Sequence, residues 1–173
     1  MSNSKSTRFK IGFILFSISL MAFSAVMGGN IYQIIAEVPN WSADIPNSLI
    51  AYREFFHVTH PGFFFQTLVP LTVLSLITSI ILLRNRPKSA NKWMLIALAG
   101  VVLTEVFTLT YFLPKNFVLF LDPLEDIPVE QLGITGELWQ TANYLRMAIV
   151  LATMIVFLKT YQIISSSGGE KVS

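Results

Sequence analysis

Four long apolar stretches, separated by shorter polar segments, dominate the pattern of the chain. They cover residues 11–35, 62–83, 93–113 and 138–164. A helix needs about 20 apolar residues to cross the hydrocarbon core of a bilayer, and buried helices of soluble proteins are seldom this long without interruption. The pattern predicts an all-α integral membrane four-helix bundle, formed by a single domain over residues 11–164 that contacts the lipid bilayer.

Composition agrees with this fold class and excludes several kinds of site. Hydrophobic residues make up 53% of the 173 residues and charged residues only 13%, whereas soluble proteins average about 25% charged residues. The chain has no cysteine, which excludes disulfides, thiolate metal sites and cysteine nucleophiles. Residues 1–10 are polar and predict an N-terminal tail, and the Ser- and Gly-rich residues 165–173 predict a flexible C-terminal tail.

Basic residues cluster near one set of helix ends. Most of the 12 lysines and arginines share this side: Lys5, Arg8, Lys10, Arg84, Arg86, Lys88, Lys92, Lys159 and Lys171. The positive-inside rule then predicts that both termini are cytoplasmic and that the two longer loops are extracytoplasmic. We expect the membrane to be a bacterial cytoplasmic (inner) membrane. The first apolar stretch continues to Ile35, well beyond the apolar core of a signal peptide, so it is expected to remain as a helix.

Two full charges fall inside the predicted spans, Glu105 in the third and Arg146 in the fourth. Each lies eight residues from the extracytoplasmic end of its predicted helix, or about 12 Å along the axis. A lone charge at mid-membrane costs roughly 2.5–3.5 kcal/mol. The matching depths therefore predict an intramembrane ion pair between Glu105 and Arg146, made directly or through one polar residue. Such a pair could be part of a binding or catalytic site, or could only fix the register of the helices.

Further polar side chains fall in the same half of the predicted bundle, and they predict a small pocket that opens outward or sideways into the outer leaflet. Candidate pocket residues are Asn30, Gln33, Gln66, Thr108, Asn116, Trp139 and Asn143. Asn30, Gln33 and Gln66 could equally be hydrogen-bonding contacts between helices. His57 and His60 are the only histidines and sit at the edge of a span, so we predict no metal site. No pattern indicates nucleic-acid binding, and homo-oligomerisation is left open.

The chain resembles a known family over nearly its whole length, and two short motifs are the most specific part of this resemblance. Pro114-x-Asn116 follows the third span, and Trp139-x3-Asn143-x2-Arg146 opens the fourth. With the four-span layout, they resemble the anthrone oxygenase-like family of small membrane proteins, most of which have no known function. The resemblance implies oxidation of anthrones by molecular oxygen without a metal or flavin, with Glu105 as base and Arg146 as oxyanion partner. Many family members have His where this chain has Asn143, and Asn cannot take a proton.

Two kinds of function follow. The first is a cofactor-independent oxygenase or oxidoreductase that acts on a lipophilic aromatic, anthrone- or quinone-like compound, with oxygen as co-substrate. The second is a non-catalytic membrane protein that binds lipid or a small molecule, or serves as a subunit of a membrane complex. A transporter or channel is disfavoured, because the predicted cytoplasmic halves of the helices are apolar and offer no path.

Overall fold

A computed structural model of the protein describes residues 2–84 and 88–169, and these residues form helices and no strand. The α-helices are α1 (Ser2–Tyr32), α2 (Val38–Ser42), α3 (Asn47–Phe55), α4 (Gly62–Leu83), α5 (Lys88–Phe107), α6 (Leu113–Asn116) and α7 (Val129–Gly169). Three π-helical turns, Gln33–Glu37, Thr108–Phe112 and Phe117–Leu121, join α1 to α2 and α5 to α6 and extend α6. A 3-10 turn, Leu124–Asp126, precedes α7.

Four helices are long and apolar enough to cross a membrane, as expected for a multi-pass integral membrane protein. We call them span 1 (Thr7–Ser42), span 2 (Gly62–Leu83), span 3 (Ser89–Leu121) and span 4 (Val129–Ser167). Span 2 has the same bounds as the second apolar stretch, while the other three helices are longer than the apolar stretches that identified them. Helix α1 already begins at Ser2 and α7 continues to Gly169, where polar tails were predicted; residues 170–173 lie outside the described part.

The third and fourth apolar stretches leave residues 114–137 between them, and the prediction that this segment forms one of the two longer loops is wrong. Helical structure continues through Leu121 and resumes at Val129, so only a short connection remains. Pro114, the second residue of α6, does not end the helix even though it has no N–H to donate to the preceding turn. The π-helical turns on both sides of α6 adjust the hydrogen-bonding pattern locally.

The spans pack side by side in antiparallel pairs. Span 1 contacts spans 2 and 4, and span 3 contacts spans 4 and 2. Ser19 and Ser79 donate hydrogen bonds across the first pair, to the carbonyls of Thr72 and Gly12. We call the end of the bundle where the chain begins and finishes the terminal end. The opposite end, where Trp41 packs edge-on against Trp139 at 5.6 Å, is the aromatic end.

Small residues allow the closest helix contacts. A side chain at Gly100 would collide with Thr153 of span 4, and one at Gly29 would lie 2.7 Å from the Phe64 ring of span 2. Gly28, in contrast, has no neighbour within 4 Å of where its Cβ would be. Of the two adjacent glycines in span 1, only Gly29 is thus required for packing, since spans without side chains at the contact approach most closely.

We expect Gly100→Ala to destabilise the bundle by about 1–3 kcal/mol, because the added methyl group overpacks the contact between spans 3 and 4. Gly28→Ala is the matched control and should change stability little, since its methyl group meets nothing. The measurement is the free energy of unfolding in detergent micelles, followed by far-UV circular dichroism. Equal losses in the two variants would contradict the described packing of Gly100 against Thr153.

Candidate functional site

The side chain of Arg146 lies at the centre of the aromatic end and is only 8% exposed. Its guanidinium carbon is 4.2 Å from the centre of the Phe112 ring and 5.5 Å from the centre of the Trp139 ring. A cation above aromatic faces is attracted by the ring quadrupoles, more strongly when both are removed from water. Rings from spans 3 and 4 therefore stabilise the buried charge.

Two neutral amides supply the hydrogen bonds of Arg146. Its Nε and Nη2 atoms donate to Oδ1 of Asn143 at 3.1 and 2.7 Å, and Nη2 also donates to Oε1 of Gln33 at 3.4 Å. Gln33 lies in span 1, so these bonds connect spans 1 and 4. We call Arg146, Asn143, Gln33, Phe112 and Trp139 the Arg146 cluster.

The indole of Trp139 joins the two sequence motifs. Its Nε1 donates to Oδ1 of Asn116 at 2.7 Å, so the end of span 3 is fixed to span 4. The Trp139 ring also packs edge-on against Phe112 at 5.3 Å and against Trp41 at 5.6 Å. Such aromatic pairs are favourable beyond the area they bury. The residues of both motifs thus meet in one connected network around Arg146.

A carboxylate reaches the cluster through Gln33. The side chain of Glu37 interacts with the Gln33 amide and accepts a hydrogen bond of 3.1 Å from the Tyr52 hydroxyl. The order of contacts is Arg146, Gln33, Glu37 and Tyr52, which leads from the buried cation to α3. The contact between Glu37 and Tyr52 was not predictable from the sequence, because it depends on how the first loop folds back.

The neighbouring residue Arg53 fixes α3 to the end of span 3. It donates hydrogen bonds to the carbonyls of Val118, Leu119 and Asp122, at 3.2, 3.0 and 2.6 Å. Carbonyls at a helix C-terminus lack partners within the helix and attract cations. Burial lowers the pKa of Arg53, while nearby Asp122 and Glu125 act in the opposite direction. The segment α3 is therefore held at both Tyr52 and Arg53.

The predicted ion pair is not formed as a direct contact. Arg146 donates its hydrogen bonds to Asn143 and Gln33, and only an electrostatic attraction without a hydrogen bond links it to the half-buried Glu105. Helical side chains project toward the N-terminus of their own helix. Because spans 3 and 4 are antiparallel, Arg146 projects toward the aromatic end and Glu105 toward the terminal end, so equal depth along the axis does not bring the two groups together.

Three other candidate residues have local roles or lie apart. Asn30 is buried, and its Nδ2 donates to the carbonyl of Val26 at 2.8 Å, while its Oδ1 has no hydrogen-bond partner among the described residues. The Thr108 hydroxyl donates to the carbonyl of Thr104 within its own helix. The side chain of Gln66 is exposed. These residues do not form hydrogen bonds with the Arg146 cluster.

A narrow cleft and a wide depression border the aromatic end of the bundle. A cleft of about 10 Å³ is lined by Ile34, Val38, Gln140, Asn143 and Tyr144. A wide, open depression of about 530 Å³ lies at the surface, lined by Pro46, Ile50, Arg53, Pro123, Leu124, Glu125 and Val129. Of the candidate pocket residues, only Asn143 lines the narrow cleft, and none of them lines the larger depression.

Metal binding finds no support in the part of the chain that the structure describes. No group of three or more His, Cys, Asp or Glu side chains is close enough there to hold a metal ion. The Nδ1 atom of His57 lies 2.6 Å from the carbonyl of Glu54, and Nδ1 of His60 accepts a hydrogen bond from the backbone N–H of Gly62 at 3.0 Å. Both histidines are exposed and organise the connection into span 2.

Comparison of the chain with protein-family models, curated proteins and solved structures found no match.

The hydroxyl of Tyr52 provides a pH-dependent test of the contact with Glu37. Burial, and next the charge of Glu37, raise the pKa of Tyr52. A raised pKa in the folded state means that the neutral hydroxyl stabilises the fold below the ordinary tyrosine pKa of about 10, and that this contribution is lost as the pH rises further. We expect Tyr52→Phe to cost about 1 kcal/mol at neutral pH and to reduce the loss of stability above about pH 10.

The control is Tyr144→Phe, because the Tyr144 side chain is largely exposed. We compare the unmodified protein, Tyr52→Phe and Tyr144→Phe by measuring their free energies of unfolding in the same micelles, from neutral to alkaline pH. Parallel profiles for Tyr52→Phe and Tyr144→Phe would contradict a buried hydrogen bond between Tyr52 and Glu37.

Proposed function

We propose that the chain binds a lipophilic aromatic, anthrone- or quinone-like compound at the aromatic end and oxidises it with molecular oxygen, without a cofactor. The observation that supports this is a buried guanidinium whose hydrogen bonds go to neutral amides, with a carboxylate, Glu105, attracted to it but not bonded to it. Ionisable groups within spans are costly and are retained where they serve a function. The same features agree with the family resemblance of the two motifs.

The separation between Glu105 and Arg146 suits this chemistry. In an anthrone the ketone oxygen and the reactive CH2 group lie on opposite sides of the central ring, so a base and an oxyanion partner need to act at different points. Glu105 takes a proton from the CH2 carbon, and Arg146 stabilises the negative charge that develops on the oxygen. The anion reduces oxygen, and the peroxide formed at that carbon takes the proton back from Glu105 to give a hydroperoxide. Loss of water leaves a second ketone, so one oxygen atom ends in the product and one in water.

The position of the cluster relative to the membrane favours an amphiphilic ligand. Span 2 has 22 residues, which correspond to about 33 Å of helix and match the hydrocarbon core. Its first turn packs against Gly29, and Gln33 and Glu37 follow one and two turns later in span 1. The cluster then lies near the membrane boundary, shallower than the sequence suggested. Rings of a ligand could remain in hydrocarbon while its oxygen meets the cluster.

The distribution of basic residues supports a definite orientation for this arrangement. Arg8, Arg84 and Lys159 lie toward the terminal end of the bundle, which the positive-inside rule assigns to the cytoplasm. In a bacterial inner membrane, the Arg146 cluster would lie at the outer boundary. Substrate would reach it from the outer leaflet.

Tight packing favours a second candidate, a non-catalytic membrane protein that binds lipid or a small molecule or forms part of a complex. The space beside Asn143 is only about 10 Å³, far smaller than typical ligand pockets of about 300–1,000 Å³. The Arg146 cluster also joins spans 1, 3 and 4, as a purely structural network would. Asn143 in place of the histidine of many family members agrees with this alternative.

The proposed chemistry requires a carboxylate at position 105. We expect Glu105→Gln to lower the rate of anthrone oxidation by at least about 100-fold, since positioned general bases contribute roughly 10²–10⁴, while the protein still inserts and folds. Glu54→Gln is the control, because the Glu54 side chain is exposed on α3. Oxygen uptake and anthraquinone formation by protein in nanodiscs are measured. Undiminished turnover in Glu105→Gln would exclude Glu105 as the base, and no turnover by the unmodified protein would favour the second candidate.

A further inference from the structure

The cleft at Asn143 lies on the seam between spans 1 and 4. Ile34 and Val38 line it from span 1, and Gln140, Asn143 and Tyr144 line it from span 4. Its volume is about 10 Å³, which is close to the space that one water-sized group occupies. It can therefore admit a single oxygen atom, but not an aromatic ring.

Asn143, one of the residues that line this cleft, has a buried hydrogen-bond donor without a partner among the described residues. Asn143 is 2% exposed, and its Nδ2 atom makes no hydrogen bond with any described residue. The orientation of the amide follows from its other contacts. Because arginine only donates hydrogen bonds, the atom that contacts Nε and Nη2 of Arg146 must be the amide oxygen. The nitrogen then faces away from Arg146, and a buried N–H without an acceptor is costly.

Arg146 makes this N–H a stronger donor. The amide oxygen of Asn143 accepts two hydrogen bonds from the guanidinium, and these draw electron density from the amide. Hydrogen bonds in a connected chain polarise and strengthen one another, most of all in surroundings of low dielectric constant. An acceptor oxygen is thus favoured at Nδ2, and a donor group or a cation is disfavoured.

The rim of the cleft connects it with the outer surface of the bundle. Tyr144 is 66% exposed, and Ile35, next to the lining residue Ile34, is 71% exposed. These side chains lie on the surface that faces lipid if the spans cross a membrane. A molecule dissolved in the bilayer can therefore reach this seam laterally from the lipid, without passing between the loops outside the membrane.

We propose that Asn143 Nδ2 binds the carbonyl or phenolate oxygen of a lipophilic ligand that enters laterally between spans 1 and 4. Only the oxygen occupies the cleft, and the rings remain outside against Tyr144 and Ile35. This inference takes only the ligand class from the proposed function, because an oxygen held by Asn143 at the seam is in a different position from one stabilised by Arg146 during oxidation, and binding does not require turnover. It also explains how a narrow cleft can recognise a large aromatic compound.

Binding of anthraquinone, which carries ketone oxygens and cannot undergo the proposed oxidation, tests this inference. Full-length protein in phosphatidylcholine nanodiscs is titrated with anthraquinone while tryptophan fluorescence is followed. The stretching frequency of a 13C-labelled ketone is recorded by infrared difference spectroscopy. We expect saturable binding and a lower ketone frequency for the bound ligand, as a hydrogen-bonded carbonyl shows.

The main variant is Asn143→Asp, which keeps an oxygen for Arg146 and removes the N–H donor. We expect binding to be at least about fivefold weaker, because one hydrogen bond of ordinary strength is lost. The ketone frequency of the bound ligand should then show no shift. Gln131→Glu is the matched control, because it makes the same amide-to-carboxylate change at an exposed position earlier in span 4. Ile34→Phe fills the cleft from span 1 without altering Asn143 and should also weaken binding.

The outcomes separate this inference from the proposed function. Unchanged affinity and ketone frequency in folded Asn143→Asp and Ile34→Phe would overturn the inference, even if oxygen uptake by the unmodified protein were found. No saturable binding by the unmodified protein would also overturn it and leave water as the occupant of the cleft. Binding that depends on Asn143, together with no turnover of anthrone, would support the inference and count against the oxygenase.

Discussion

A buried guanidinium needs partners that replace water, and this requirement organises the aromatic end of the bundle. Arg146 meets it with two ring faces and two amide oxygens, drawn from spans 1, 3 and 4. Removing any one partner would leave a charge with less compensation in surroundings of low dielectric constant. The positions of Phe112, Trp139 and Gln33 are therefore linked through a single side chain.

From this cluster the restraints extend outward. Trp139 donates a hydrogen bond to Asn116 and packs on Trp41. Glu37 contacts both Gln33 and Tyr52. Arg53, next to Tyr52, is hydrogen-bonded to the carbonyls at the end of span 3. The first loop is thus part of the structure around the site, although none of its residues was a candidate. At the terminal end, by contrast, aromatic packing such as Phe23 on Phe157 and serine-to-carbonyl bonds hold the helices together.

Hydrophobic length was enough to identify the four spans, because a membrane imposes a minimum length on every crossing helix. Hydrophobic length did not give the correct ends of these spans. Glu37 and Glu137 are charged and were therefore assigned to loops, but both lie in helices that extend past the apolar stretches. The cluster itself was partly predictable: Trp139, Asn143 and Arg146 share one helix face at i, i+4 and i+7. The partner of Arg146 was not predictable from depth alone. Antiparallel helices point their side chains in opposite directions, so Glu105 and Arg146 diverge from similar levels.

The central claim is that hydrogen bonds to neutral amides hold Arg146, while Glu105 is attracted to it but not bonded to it. A double-mutant cycle that combines Asn143→Leu with Arg146→Gln tests this claim most directly. Unfolding free energies of the four proteins in the same micelles give the coupling energy. We predict about 1 kcal/mol or more, within the range of roughly 0.5–3 kcal/mol found for residues in one network. A coupling energy near zero would contradict this account.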